Sequence, residues 1–155
     1  MSQIIAILNF EEGYKENPYI DSLGYPTVGV GIRIGPKGNS LSSYTFRVPK
    51  KVSDVWTQSM VDLKLAEMNS RAAIAAALKQ CNPARADVLT SMCYQLGADG
   101  LAKFKKSLVY ISNGDFTRGG NEMLDSLWAR QTPARARRHA EVMRTGTYDA
   151  YKGLI

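Results

Sequence analysis

The chain has very little chemistry for binding metal or cross-linking itself. It carries two cysteines, Cys81 and Cys93, and one histidine, His139. One histidine and no Cys-x-x-Cys pair give no zinc site of the usual ligand spacing. The cysteines are well separated in a chain long enough to build its own core, so they read as buried thiols, not a disulfide. His139 sits among Arg137, Arg138 and other basic residues and is expected to face solvent, which leaves a histidine-based triad unsupported. Long apolar runs are also missing. The stretch from Ile4 to Phe10 is interrupted by Glu11 and Glu12 and has no basic leader, so it is neither a signal peptide nor a membrane span. No phosphate loop is present either. Gly29-Val30-Gly31 is followed by no helical pattern, and the Walker lysine is lacking. No cofactor and no metal are therefore expected.

What remains is an ordinary globular composition. At 155 residues the length suits one domain, with enough burial to fold without staples. The formal net charge of +6 draws the chain toward polyanions, whether nucleic acid, anionic lipid or acidic wall polymer. Lys103, Lys105 and Lys106, with Arg130, Arg135, Arg137 and Arg138, concentrate that charge in the C-terminal half. They read first as a solvated face and next as an attraction to acidic polymer. Nucleic-acid binding is disfavoured, because no aromatic residues interleave with them as a stacking platform requires.

The organisation follows from periodicity. Ser2 can cap a short helix whose apolar face is Ile4, Ile5, Ile7 and Leu8, and Gly13 stops it. From Asn17 to about Val48 the texture is strands and turns. Tyr19-Ile20-Asp21 and a run from Tyr25 to Ile34 flank the turn Ser22-Leu23-Gly24. Within that run Val28, Val30, Ile32 and Ile34 alternate with Thr27, Gly29, Gly31 and Arg33. Thr57 could cap a long helix through Val61, Leu65, Met68 and Ala72, continued by the alanine-rich stretch to Leu78. Asn82-Pro83 opens the next helix and Gly97 closes it. Further helices are expected over Lys103 to Ile111, Phe116 to Leu127 and Pro133 to Arg144, with Thr147 capping a last turn. Trp128, Phe104, Met92 and Met123 at helical spacings suggest core. The fold class expected is α+β, mostly α.

Hydrolysis of a glycosidic bond needs a proton donor for the leaving oxygen and a second carboxylate serving water or the sugar carbon. Glu12 ends the first helix, where the negative end of the helix dipole and nearby apolar surface disfavour ionisation. Periodicity alone does not separate it from Glu11. Asp21 lies in a polar turn, where a carboxylate stays ionised. Thr27 can offer a hydroxyl to a water, and Gly29 and Gly31 leave a smooth backbone surface that a sugar ring can approach. Each feature also has an ordinary reading as a surface glutamate, a turn aspartate or a bulge glycine.

Taken together, Glu12-Gly13 and Asp21-Ser22-Leu23-Gly24-Tyr25-Pro26-Thr27-Val28-Gly29-Val30-Gly31 resemble the active-site stretch of the T-even phage lysozymes, glycoside hydrolase family 24. Tyr94-Gln95-Leu96-Gly97 with Phe104 and Ser107-Leu108 resembles a second block. Trp128-Ala129-Arg130-Gln131-Thr132-Pro133-Ala134-Arg135-Ala136 and Arg144-Thr145-Gly146-Thr147-Tyr148-Asp149-Ala150-Tyr151-Lys152 resemble further blocks. Only about residues 35 to 55 align poorly.

The resemblance implies a single lysozyme domain over 1–155 with a two-lobe fold. Its β-rich lobe would be 13–56 and its helical lobe 1–12 and 57–155, including a long connecting helix, with a ligand groove between the lobes. It implies cleavage of the β-1,4 link between N-acetylmuramic acid and N-acetylglucosamine with inversion. Glu12 would be the general acid, Asp21 the carboxylate that aids water, and Thr27 the residue that positions it. Arg33, Tyr94, Ser107 and Glu122 would line the substrate groove. Ile32 stands where those lysozymes carry histidine, so an apolar contact should replace an ion pair. Tyr94 replaces phenylalanine, and Arg33 and Glu122 replace neutral groove residues. The implied setting is a monomeric endolysin, made in the host cytoplasm and reaching periplasmic peptidoglycan through a holin. Its starting methionine and lack of an added module favour that over a tail-associated lysozyme. A non-catalytic wall-binding module of the same fold is the other alternative.

Overall fold

A computed structural model describes residues 1–155, and the chain divides into two units. One comprises Ile5–Met60, the other Met1–Ile4 with Val61–Ile155. Most of the chain is helical, and the strands form one small antiparallel sheet, so the class is α+β with helix predominant. No helix is long and apolar enough to cross a membrane.

In the first unit, α1 (Ile4–Glu12) is stopped by Gly13, whose positive φ lets its N–H return to the Asn9 carbonyl at 3.1 Å. Strand β1 (Tyr14–Ile20) follows at once and forms an edge, where Pro18 can forgo a ladder hydrogen bond. The central strand β2 (Pro26–Val30) pairs with β1, Thr27 facing Tyr19, and with β3 (Ile32–Arg33), Thr27 facing Arg33. The single alternating strand expected over Tyr25 to Ile34 is thus a hairpin. Gly29 and Gly31 both adopt positive φ, and that reverses the chain between Val28 and Ile32. Ile32 is buried, as an apolar contact requires, and so are Val28 and Val30. All five β2 residues are buried, so the expected two-faced alternation does not appear.

Helix α2 (Lys50–Asn69) begins a full two turns before Thr57. The Ser53 N–H bonds the Pro49 carbonyl, so Pro49 and not Thr57 marks the entry. Thr57 is interior and buried, its hydroxyl donating back to the Ser53 carbonyl at 2.7 Å.

In the second unit the alanine-rich stretch is a separate helix, α3 (Ala72–Gln80). Arg71 is extended there and breaks the run without any glycine or proline. Helix α4 (Pro83–Ala102) is capped by Asn82, which accepts from the Arg85 N–H at 3.0 Å. Gly97 does not end α4 but kinks it, with φ at 75°. Then come α5 (Lys105–Ser112), α6 (Phe116–Leu124), α7 (Leu127–Gln131) and α8 (Pro133–Thr145), with a 3₁₀ turn at Asp149–Tyr151. The helix expected over Phe116 to Leu127 is split because the Ser126 hydroxyl caps α7, accepting from the Ala129 N–H at 3.1 Å. Gly120 lets α6 approach α8 closely, since a β-carbon there would meet the Ala140 carbonyl oxygen at 2.9 Å.

The core of this unit is Met68, Ile74, Leu89, Met92, Leu101, Leu108, Met123 and Met143, all fully buried. Truncating one such side chain to alanine typically costs about 2–5 kcal/mol. Trp128 is also buried, and its indole N–H donates to Gln95 Oε1 at 2.8 Å.

His139 is not exposed but 0% accessible, with Nε2 at 2.8 Å from Ser91 Oγ and Nδ1 at 2.9 Å from the Tyr151 hydroxyl. Arg135 is buried too and donates to the Ser91 carbonyl and hydroxyl at 3.2 and 2.9 Å. It therefore leaves the solvated basic face, on which Arg130 and Arg137 remain. The reason is helical geometry. Arg135, Ala136, His139, Ala140 and Met143 fall at spacings of three and four, on the inner face of α8. Cys81 and Cys93 are free thiols, and burial pushes the Cys81 thiol up to about 11.

Candidate active site

The N-terminal unit holds Glu12, Asp21 and Thr27, the three residues singled out by the resemblance. Glu12 is the last residue of α1 and is half-buried. Its side chain lies over the β2–β3 hairpin. A β-carbon added to Gly31 would stand 3.5 Å from Glu12 Oε2 and 3.7 Å from Glu12 Cβ. Glycine's bare backbone therefore gives this carboxyl a flat seat.

Asp21 follows β1 and opens the turn into β2. Its Oδ1 accepts from the backbone N–H groups of Leu23 at 2.9 Å and Tyr25 at 2.8 Å. This is how a short acidic side chain organises a turn. Its other oxygen, Oδ2, meets Arg33 Nε at 3.3 Å. The Tyr25 N–H contributes most; against the opposing desolvation it is joined by the Leu23 N–H and then by Arg33, so the carboxyl ionises below its ordinary range. Arg33 in turn lies over the Tyr25 ring, its guanidinium carbon 3.9 Å from the centroid.

Thr27 is buried in β2, and its hydroxyl donates to the Tyr25 carbonyl at 2.9 Å, so the oxygen keeps lone pairs to accept from another donor. One residue that sequence reasoning passed over ties the cluster together. Tyr19 on β1 pairs with Thr27, and its phenol is held above the ordinary range by burial, then by the charges of Asp21 and Glu12. Both carboxyls thus lie within electrostatic reach of one hydroxyl. An aromatic at the sheet edge opposite Thr27 is the signal that could have marked it.

In the helical unit, Ser107 and Glu122 share a cavity of about 690 Å³. Ser107 is buried in the first turn of α5, and Glu122 comes from α6. Phe104, Leu127 and Trp128 supply apolar wall, and exposed Lys103, Lys105 and Lys106 stand along the lining. Phe104 and Trp128 meet edge to face at 5.8 Å. Trp128 is therefore wall as well as core, half-buried Phe104 is wall and not the core residue expected, and Met92 and Met123 are wholly core. Tyr94, half-buried on α4, is not among the residues lining this cavity. An aromatic-walled hollow with a few polar groups is a usual form for a ligand site.

The chain belongs to the phage lysozyme family, whose profile matches residues 9–141, and is a peptidoglycan-cleaving glycoside hydrolase, a lysozyme. Among its relatives are the proteins named "Probable T4-type lysozyme 1" and "Probable T4-type lysozyme 2" of Dictyostelium discoideum. They are 27% and 26% identical to it, and each alignment covers 98% of this chain and 99% of the relative. The pre-baseplate central spike protein Gp5 of Enterobacteria phage T4 is 28% identical over 94% of this chain, a match that covers 28% of that protein.

Proposed function

We propose that the chain hydrolyses the β-1,4 bond between N-acetylmuramic acid and N-acetylglucosamine by single displacement, with Glu12, Asp21 and Thr27 as the reacting set. The observation that carries this reading is the pair of half-buried carboxyls grouped around Tyr19, one ionised by its turn and the other seated on Gly31. Glu12 donates its proton to the glycosidic oxygen as the bond to the anomeric carbon breaks. A water gives one hydrogen to Asp21 and rests the other on the Thr27 oxygen, so its lone pair points at the anomeric carbon. The new C–O bond forms on the face opposite the leaving group, which inverts the anomer. A pair of this kind spans about 6.5–9.5 Å, leaving room for the water. Arg33, Tyr94, Ser107 and Glu122 contact the glycan, and the lysine-lined cavity favours an acidic polymer.

Glu12→Gln tests the acid role. Lysis of purified peptidoglycan should fall by about 10²- to 10⁴-fold, the range for loss of a general acid. The thermal midpoint should hold, and wild-type-like lysis would remove Glu12 from the mechanism. NMR of the first product formed should show the inverted anomer, and a retained anomer overturns single displacement.

In the cell this reading makes the chain an endolysin acting as a monomer, released to the periplasm through a holin. The likeness to a phage spike protein favours a second setting, local wall cutting by a tail. Deleting the coding segment separates the two. An endolysin loss blocks release of finished particles, whereas a tail lysozyme loss lowers infection by otherwise released particles.

A further inference from the structure

Arg33 has a geometry that substrate contact alone does not require. Its Nε faces Asp21 Oδ2 at 3.3 Å, and its guanidinium carbon lies over the Tyr25 ring, 3.9 Å from the centroid. Tyr25 also donates the N–H that holds Asp21 Oδ1 at 2.8 Å. The same residue therefore clamps one carboxylate oxygen and supports the cation at the other. The β2–β3 pairing sets the reach, because Arg33 stands opposite Thr27 across the ladder. The remaining groups near Asp21 are the phenol of Tyr19 on β1, Glu12 of α1 through that phenol, and Lys37, whose chain lies against Gly24 of the turn.

We infer that Arg33 is a positioning residue for the lysozyme reaction, fixing Asp21 Oδ2 in the orientation and ionised state in which it receives a proton from water. The inference rests on the role proposed above for Asp21. It predicts a reaction whose acid limit is lowered in part by an exposed cation and is therefore sensitive to salt. Both side chains reach solvent, with 48% of the Arg33 side chain and 20% of that of Asp21 accessible, so the pair is screened and its effect is moderate. The contact with Tyr25 reduces what the arginine must lose in freedom to stay there.

The test is the titration of the Asp21 carboxyl carbon, followed by NMR in the free protein. It is paired with the pH profile of peptidoglycan lysis. Arg33→Leu should move the Asp21 titration to higher pH and shift the acid limb of lysis with it. At the pH where wild type runs at half its plateau, the variant should be slower by about twofold, the scale of an exposed pair. Arg33→Lys, which keeps the charge but loses the guanidinium over Tyr25 and the Nε–H, should recover part of both shifts. High salt should move wild type toward Arg33→Leu and leave that variant unmoved. Arg33→Gln repeats the measurement with a less apolar side chain should the leucine disturb the hairpin. An Asp21 titration identical in wild type, leucine and glutamine variants overturns the inference. If the titration shifts but wild-type protein lyses no peptidoglycan, the positioning contact stands and the lytic role of Asp21 falls.

Discussion

The turn around Asp21 and the interior around His139 each gather polar partners about one titratable side chain. Both groups ionise at lower pH than usual, for opposite reasons. At Asp21 the charged form is favoured, since two N–H groups and a guanidinium point at a carboxylate that still meets water. At His139 the charged form is penalised, first by complete burial and then by Arg135 and Arg138. A charge welcomed at a solvent-facing turn is available for chemistry. A charge refused in a packed interior leaves a neutral ring serving as a hydrogen-bonded brick between Ser91 and Tyr151. A shifted acidity therefore does not identify a catalytic group until its cause and its access to solvent are known.

The strongest way to break this contrast is to exchange Asp21 for asparagine. Lysis should fall by about 10²- to 10⁴-fold, while the thermal midpoint stays within the small range of surface changes. Asparagine keeps the oxygen that accepts from Leu23 and Tyr25, so the turn survives the loss of charge. A large fall in stability with little loss of rate would make Asp21 structural, like His139.

The reverse exchange sharpens it. His139→Ala should lower stability by about 2–4 kcal/mol, because it opens a cavity and removes the ring's hydrogen bonds to the Ser91 and Tyr151 hydroxyls. Turnover per folded molecule should stay near wild type, read by active-fraction-corrected lysis and thermal unfolding. A collapse in turnover at full folding would make the ring part of the reaction.

The two regions also differ in how far the sequence disclosed them. Glu12, Asp21 and Thr27 lie within one short stretch, so spacing alone brings them onto a helix end, a turn and a strand. Chain connectivity then leaves little freedom. The hairpin was half legible. Gly29 and Gly31 stood out as places of close approach, but whether a glycine lies flat in a strand or reverses it depends on φ, which composition does not encode. Around His139 local cues misled. Arg137 and Arg138 announce solvent, yet the inner face of α8 is set by Ala136, Ala140 and Met143 three or four residues apart, and Arg135 is carried inward with them. The break at Arg71 left no trace, because an extended arginine between two helices carries no glycine or proline signal. Arg33 was legible as a groove residue only. Its hold on Asp21 depends on the register that sets β3 against β2.

The smallest expected effect separates the two causes by pH. The unfolded chain takes a proton on histidine below its ordinary 6.5, while folded His139 refuses it. The unfolded state then binds more protons, and stability falls as pH falls from about 6.5 toward the depressed folded value. Asp21 has the same sign in a lower window. Its contribution is complete above the ordinary carboxylate value of 3.8 and is lost as pH drops through the lowered folded value. Thermal midpoints measured from pH 7 to 3 should therefore show a slope near pH 6 to 5 that His139→Gln flattens and Arg33→Leu leaves alone. Arg33→Leu should alter the curve only at its acid end, and only slightly, because its pair with Asp21 is exposed to solvent and salt. A His139→Gln curve parallel to wild type across the upper window would mean that the ring is reached by protons while folded. Its depressed acidity would then no longer stand as the mark of a sealed interior.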